Sequence, residues 1–236
     1  MEAIILAGGL GTRLRSVVSG VPKPMAPVAG RPFLEHLMRH WMTRGVRRFI
    51  LSVGYLREVI IDHFGERFEG VPVSYAVEQQ PLGTGGGLLC ALPQVECTCC
   101  LALNGDTFFD VDPAELETLQ RRCGVAAAMA LFEAPAEGRY MGVLLGKDSR
   151  VTKLSVPSGE GAKFCNGGVY WLRKDAFQGS GFAAGGTCSL EADLFEWLLA
   201  HGAGIAGLPN TGFFIDIGVP EDLRRAGTIL AGRNPD

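Results

Sequence analysis

Apolar, strand-like runs alternate with amphipathic helical patterns through the first two-thirds of the chain, and this alternation constrains the fold more than any other feature. Residues 3–7 read as a strand. Residues 33–44 read as a helix, with Phe33, Leu37 and Trp41 on one face. Strands at 48–53, 71–77, 99–103 and 125–132 are then separated by helical patterns at 56–64, 85–92 and 113–122. Parallel strands need long crossovers, and helices supply them. The pattern therefore predicts an α/β fold, Rossmann-like, with a mixed, mainly parallel sheet and helices on both faces. After about Glu133 the strands shorten, at 141–145, 150–154 and 164–171, and Gly, Ser and Pro turns join them. A helix over 190–201, strands at 204–207 and 213–217 and a last helix over 221–230 complete the reading. Without a Pro/Ser-rich linker, a low-complexity segment or a repeat, residues 1–236 read as a single domain.

The first strand runs into Gly8-Gly9-Leu10-Gly11-Thr12-Arg13, and Pro22-Lys23-Pro24 follows. A strand feeding a glycine-rich turn lets backbone N–H groups wrap a phosphate, and Arg13 and Lys23 add the charge that a polyphosphate needs. Leu14 stands where a third glycine would complete G-x-G-x-x-G, and G-x-x-x-x-G-K-[ST] is absent. Neither the dinucleotide fingerprint nor the Walker loop is present.

Composition narrows the partners. The formal net charge is -3 and no basic run occurs, which argues against nucleic acid. No apolar stretch approaches the ~18 residues of a membrane span, and the N-terminus lacks a basic, cleavable leader. Seven cysteines, an odd number, fit reduced thiols in the cytoplasm. Cys97 and Cys100 form a C-x-x-C with no second pair, so they read as structural residues of a buried strand. His36 and His40, four apart on one helix, lack a third ligand nearby and read as surface residues.

Three features fall at the carboxyl ends of strands, where open α/β sheets bind ligands: the Gly8 loop, the glycine-rich stretch at 83–87 and Asn104-Gly105-Asp106. They are expected to line one crevice. A carboxylate at the end of an apolar strand costs desolvation energy unless something pairs with it. Asp106 is one such group, and Asp216, inside Phe213-Phe214-Ile215-Asp216-Ile217-Gly218, is another. Beside a phosphate loop, two aspartates suit Mg²⁺, which keeps waters and takes substrate phosphate oxygens.

These pieces resemble a family. Gly8 to Leu14, Pro22-Lys23-Pro24-Met25-Ala26-Pro27-Val28, Pro81-Leu82-Gly83-Thr84-Gly85-Gly86, Asn104-Gly105-Asp106, Asn166-Gly167-Gly168-Val169-Tyr170, Ser189-Leu190-Glu191 and Asp216-Ile217-Gly218-Val219-Pro220 resemble, in order, the signatures of the sugar-1-phosphate nucleotidyltransferases. The resemblance implies the nucleotide-diphospho-sugar transferase fold, which is GT-A-like. It also implies in-line attack by a sugar 1-phosphate on the α-phosphorus of a nucleoside triphosphate, with loss of pyrophosphate. Arg13, Lys23 and Asp106 would then be catalytic. Leu6, Ala7, Gly8, Gly9, Gly11, Thr12, Arg13, Gln79 or Gln80, Pro81, Gly83, Thr84 and Gly105 would bind the nucleotide. Asn166, Gly167 and Glu191 would face the sugar, and Asp106 and Asp216 would hold Mg²⁺. Many relatives place a lysine of a Glu-Lys-Pro element on the sugar phosphate. Here the comparable segment is Lys153-Leu154-Ser155-Val156-Pro157, with valine at that place. Lys163 is the expected substitute and Lys153 the other candidate.

Within the family the pieces look most like the branch that joins GTP to D-glycero-D-manno-heptose 1-phosphate. The alternatives are guanylyl transfer to mannose 1-phosphate and uridylyl transfer to N-acetylmuramate 1-phosphate. A nucleotide-sugar-binding regulatory subunit is the non-enzymatic alternative; Arg13, Lys23, Asp106 and Asp216, all present, argue against it. Family members often form homo-oligomers, and no sequence feature here fixes a symmetric interface.

Overall fold

The computed structural model describes residues 1–9, 11, 18, 20–135, 140–157 and 161–232. Strand β1 (Glu2–Leu6) leads through a 3₁₀ turn at Lys23–Met25 to a small ribbon, β2 (Pro27–Val28) and β3 (Arg31–Pro32), and then to helix α1 (Phe33–Thr43). There follow β4 (Arg48–Val53), α2 (Arg57–Phe64), β5 (Arg67–Phe68), β6 (Val71–Val77), α3 (Gly83–Ala91), β7 (Cys99–Asn104), β8 (Thr107–Phe109) and α4 (Pro113–Cys123). The remainder comprises β9 (Ala127–Glu133), β10 (Gly142–Leu145), β11 (Val151–Val156), β12 (Phe164–Arg173), a π-helical segment Leu190–Phe195, α5 (Glu196–Ala200), β13 (Ile205–Pro209), β14 (Phe214–Asp216) and α6 (Pro220–Ala231).

Ten of the strands form one sheet, in which β1 lies between β4 and β7. Its centre is parallel: β1 pairs with β4 and β7, and β4 with β6. The second half turns mixed, because β12 runs antiparallel to β7 and β9, while β13 is parallel to β9. Alternation along the strands divides the core in two. Ala3, Ile5, Phe49, Leu51, Leu101 and Leu103 face the apolar sides of α1, α2 and α6. Ile4, Ile50, Cys100 and Ala102 face Leu88 and Ala91 of α3, Leu194 and Phe195 of the π-helical segment, and Leu198 of α5. The layered α/β arrangement expected from the alternation is the one observed.

Local sequence sets the helix ends. Asp112 caps α4 by accepting the Ala114 N–H at 2.9 Å, Pro113 occupies the first turn, and Gly124 ends the helix in the left-handed region. On α1, Phe33, Leu34, Leu37, Met38 and Trp41 recur at helical spacing and are all buried. Truncation of a fully buried residue such as Trp41 costs about 3–5 kcal/mol.

Two expectations need correction. The helix expected over 190–201 is a π-helical segment followed by a short α-helix. Ser189 caps it by accepting the Ala192 N–H, while Asp193 accepts the Ser189 N–H at 2.7 Å. His36 is not a surface residue: it is buried, and its Nε2 meets the Val28 carbonyl at 2.8 Å, which ties α1 to the β2–β3 ribbon. All seven cysteines are free, and Cys100 is fully buried, where desolvation pushes its thiol up to about 12. No helix among the described residues is long and apolar enough to cross a membrane.

Candidate active site

A cleft of about 450 Å³ opens at the carboxyl ends of β1, β6 and β7. Leu6, Ala7, Gly8, Gly9 and Gly11 line it from the first loop, Pro81, Gly83 and Thr84 from the start of α3, and Asn104 and Asp106 from the end of β7. The three strand-end features thus share one crevice. Lys23, Pro24, Glu78 and Gly218 complete the lining. Thr12 and Arg13 lie outside the described residues.

Lys23 is the electrostatic centre. Its ammonium is paired with Asp106 and lies 3.6 Å from Asp216 Oδ1. The topology explains how two distant carboxylates meet. β14 pairs with β8 in an antiparallel ribbon outside the main sheet, and Asp216 falls opposite Thr107, the neighbour of Asp106. The Ile217 N–H then donates to the Asp106 carbonyl at 3.0 Å, and the Gly218 N–H to Asp216 Oδ1 at 2.6 Å. A single cation already spans both carboxylates. The donor set therefore suits a hard, oxygen-liganded divalent ion. Among the described residues no group of three or more His, Cys, Asp or Glu forms a complete metal cage. Waters and phosphate oxygens would fill the remaining positions.

Glu78 is the residue the sequence reading missed. It follows β6 directly, is buried, and accepts from Ser52 Oγ at 2.9 Å and the Leu82 N–H at 3.2 Å. Gly8 packs on its carboxylate, where any side chain at position 8 would overlap it. Gln79 and Gln80, read instead as facing the base, are exposed and do not line the cleft. Gly105 is buried and donates to the Leu6 carbonyl at 3.0 Å, so it docks the end of β7 on β1. Two of the first four amides of α3 are occupied: Gly85 and Gly86 donate to the Cys188 carbonyl at 3.0 and 3.2 Å.

A polar network extends from the cleft. Thr84 Oγ1 donates to Glu191 Oε2 at 3.0 Å, and the Tyr170 hydroxyl donates to Glu191 Oε1 at 3.1 Å. Asn166 Nδ2 donates to the Tyr170 hydroxyl at 2.8 Å. The register of β12 against β9 shifts between Asn166 and Tyr170, and the extra residues at this irregularity include Gly167, which packs on the Phe109 ring. Burial above all, and then the charge of Glu191, pushes the Tyr170 phenol well above its ordinary value, so it stays a donor. Lys163 and Lys153 are both exposed; Lys163 accepts the Ala134 N–H at 2.9 Å through its carbonyl, and Lys153 sits opposite Leu144 on β11.

The sequence from residue 2 to residue 231 matches the nucleotidyl transferase family. This chain belongs to that family. It is 38% identical over 227 residues to a D-glycero-alpha-D-manno-heptose 1-phosphate guanylyltransferase of Aneurinibacillus thermoaerophilus, across 96% of both chains. Identity is again 38%, over 94% of this chain and 96% of the other, with the enzyme of the same name from Campylobacter jejuni subsp. jejuni serotype O:2. The crystal structure of HddC from Yersinia pseudotuberculosis complexed with GMP-PN superimposes with a TM-score of 0.81 at 31% identity, over 96% of this chain and 98% of that one. The nucleotidyl transferase fold and enzyme class expected from the sequence therefore stand.

Proposed function

We propose that this nucleotidyl transferase joins GTP to D-glycero-α-D-manno-heptose 1-phosphate, giving GDP-heptose and pyrophosphate. The observation that carries the chemistry is a cleft lined by Gly8, Gly9, Gly11, Lys23 and Asp106, in which the Lys23 ammonium joins Asp106 to Asp216. The two guanylyltransferases similar over nearly their whole length support the choice of base and sugar.

In this reading a phosphate oxygen of the sugar 1-phosphate forms a bond to the α-phosphorus. The bond from that phosphorus to the bridging oxygen breaks, and pyrophosphate leaves with the electron pair. Such chemistry is mostly positioning and charge neutralisation. Gly8, Gly9 and Gly11 bring backbone to the nucleotide, and Thr12 and Arg13 take its phosphates, with Arg13 on the departing pyrophosphate. Pro81, Gly83 and Thr84 face the base. Lys23 contacts the phosphates at the reacting centre. Asn166, Gly167 and Glu191 face the sugar, and Lys163 serves its phosphate. Asp106 and Asp216 hold Mg²⁺, which supplies positive charge against the phosphate oxygens. Residues 1–236 act as one domain, and seven free cysteines support a cytoplasmic setting.

Pyrophosphate release with Mg²⁺, across GTP, UTP, CTP, ATP and dTTP against heptose, mannose, glucose and N-acetylmuramate 1-phosphates, tests the reading. Turnover is expected with GTP and the heptose 1-phosphate. Faster turnover with another pair overturns the substrate assignment. Absence of turnover with every pair, from folded protein that binds nucleotide, overturns the reaction for this chain.

A further inference from the structure

Tyr170 is fully buried and cannot touch a substrate itself, yet its hydroxyl joins two side chains from different elements. Asn166 reaches it from the same strand across the register shift, and Glu191 from the first turn of the π-helical segment. The Asn104 amide, from the cleft end of β7, faces the same hydroxyl.

The directions of these bonds are fixed. Asn166 Oδ1 accepts the Gly168 N–H at 3.0 Å, so its Nδ2 is the atom left for Tyr170. A rotated amide would set a donor against that backbone donor. Glu191 has its Oε2 anchored by Thr84 at 3.0 Å and by Ser189 Oγ at 3.3 Å, while on Oε1 the Tyr170 hydroxyl is the one donor among the described residues. Removing that hydroxyl would leave the carboxylate free to turn about its Thr84 side. The ring has a separate task, since it packs edge-on against Phe195 at 5.1 Å. A phenylalanine would do that equally well, so packing alone does not account for a tyrosine here. Both partners keep spare donor and acceptor capacity, the mixture that sugar hydroxyls require.

We propose that Tyr170 is a positioning residue for the sugar substrate: its buried hydroxyl locks Asn166 and Glu191 into one hydrogen-bonded array facing the sugar. This inference rests on the assignment of Asn166 and Glu191 to the sugar made above.

Tyr170→Phe keeps the ring and deletes the lock. In steady-state assays with each substrate varied separately, kcat/KM for the sugar 1-phosphate is expected to fall about tenfold, while KM for the nucleoside triphosphate stays within about twofold. A double-mutant cycle with Glu191→Ala gives a second measurement. In the Glu191→Ala background the Tyr170→Phe change should cost less than about twofold more, because the array is already broken. Unchanged sugar kinetics in Tyr170→Phe would overturn the proposal. So would equal losses for both substrates with a lowered melting temperature, or additive losses in the cycle. Asn166→Ala and Glu191→Ala alone test the underlying assignment. If neither alters the sugar kinetics of an active enzyme, the sugar site lies elsewhere, whatever Tyr170→Phe does.

Discussion

Two carboxylates from distant parts of the sequence share the ammonium of Lys23, and the balance of that trio sets what single substitutions do. Asp106→Ala removes one oxygen donor and leaves Lys23 with Asp216. Turnover is expected to fall by at least about 100-fold, the usual scale for losing one charged group at a phosphoryl centre. The thermal shift given by nucleotide should persist, since the glycine loop proposed to hold the nucleotide is untouched. Pyrophosphate release and differential scanning fluorimetry check the two halves. Asp106 and Asp216 were legible in the sequence because a carboxylate closing an apolar strand needs a partner. The same signal stands at Glu78, directly after β6 and beside the exposed Gln79 and Gln80. Ser52 and Tyr170 carried no such signal. A serine or tyrosine within an apolar strand reads as strand composition, and its role arises only from partners that tertiary packing brings.

At the scale of elements, β1 is tied to its neighbours through Glu2. Its carboxylate accepts from the Glu96 and Cys97 N–H groups, each at 2.8 Å, and from Arg48 of β4 at 2.5 Å. Burial pushes this carboxyl up, but the hydrogen bonds from Cys97, Arg48 and Glu96 outweigh it and hold it below its ordinary value. A carboxyl lowered in the folded state stabilises the fold above its unfolded pKa and loses that contribution as pH falls through the folded value. The wild type's resistance to urea should therefore fall as pH drops below about 5, and Glu2→Gln should show a shallower pH dependence there. The central strands, α1, α2 and α4 were readable from their apolar periods, whereas α3 opens on Gly83-Thr84-Gly85-Gly86-Gly87 and carries no such period. The π-helical segment was not readable as such, since one extra residue in a turn leaves the composition helical. Of the β8–β14 ribbon, β14 was legible within the strand expected at 213–217, but its partner β8 spans only three residues, too short for alternation to register, so their pairing was hidden.

For the molecule as a whole, the cleft couples ligand to stability. With Lys23 already paired to both aspartates, Mg²⁺ alone should shift melting by less than about 1 °C, whereas Mg²⁺ with GTP near a hundredfold above Kd adds about 2.7 kcal/mol, or about 5–10 °C. Scanning calorimetry with and without each ligand separates these cases. The layered architecture was legible from β-α-β alternation, whereas the union of the acidic pair depends on a ribbon that leaves the main sheet. That ribbon also sets a timetable. On the ribosome β1, β4, β6 and β7 can pair long before β14 is made, so a nascent chain can hold its complete parallel centre while still lacking its second carboxylate. On the metal-holding role proposed for Asp216, catalytic competence would arrive only once β14 is made, after the parallel scaffold has had time to settle.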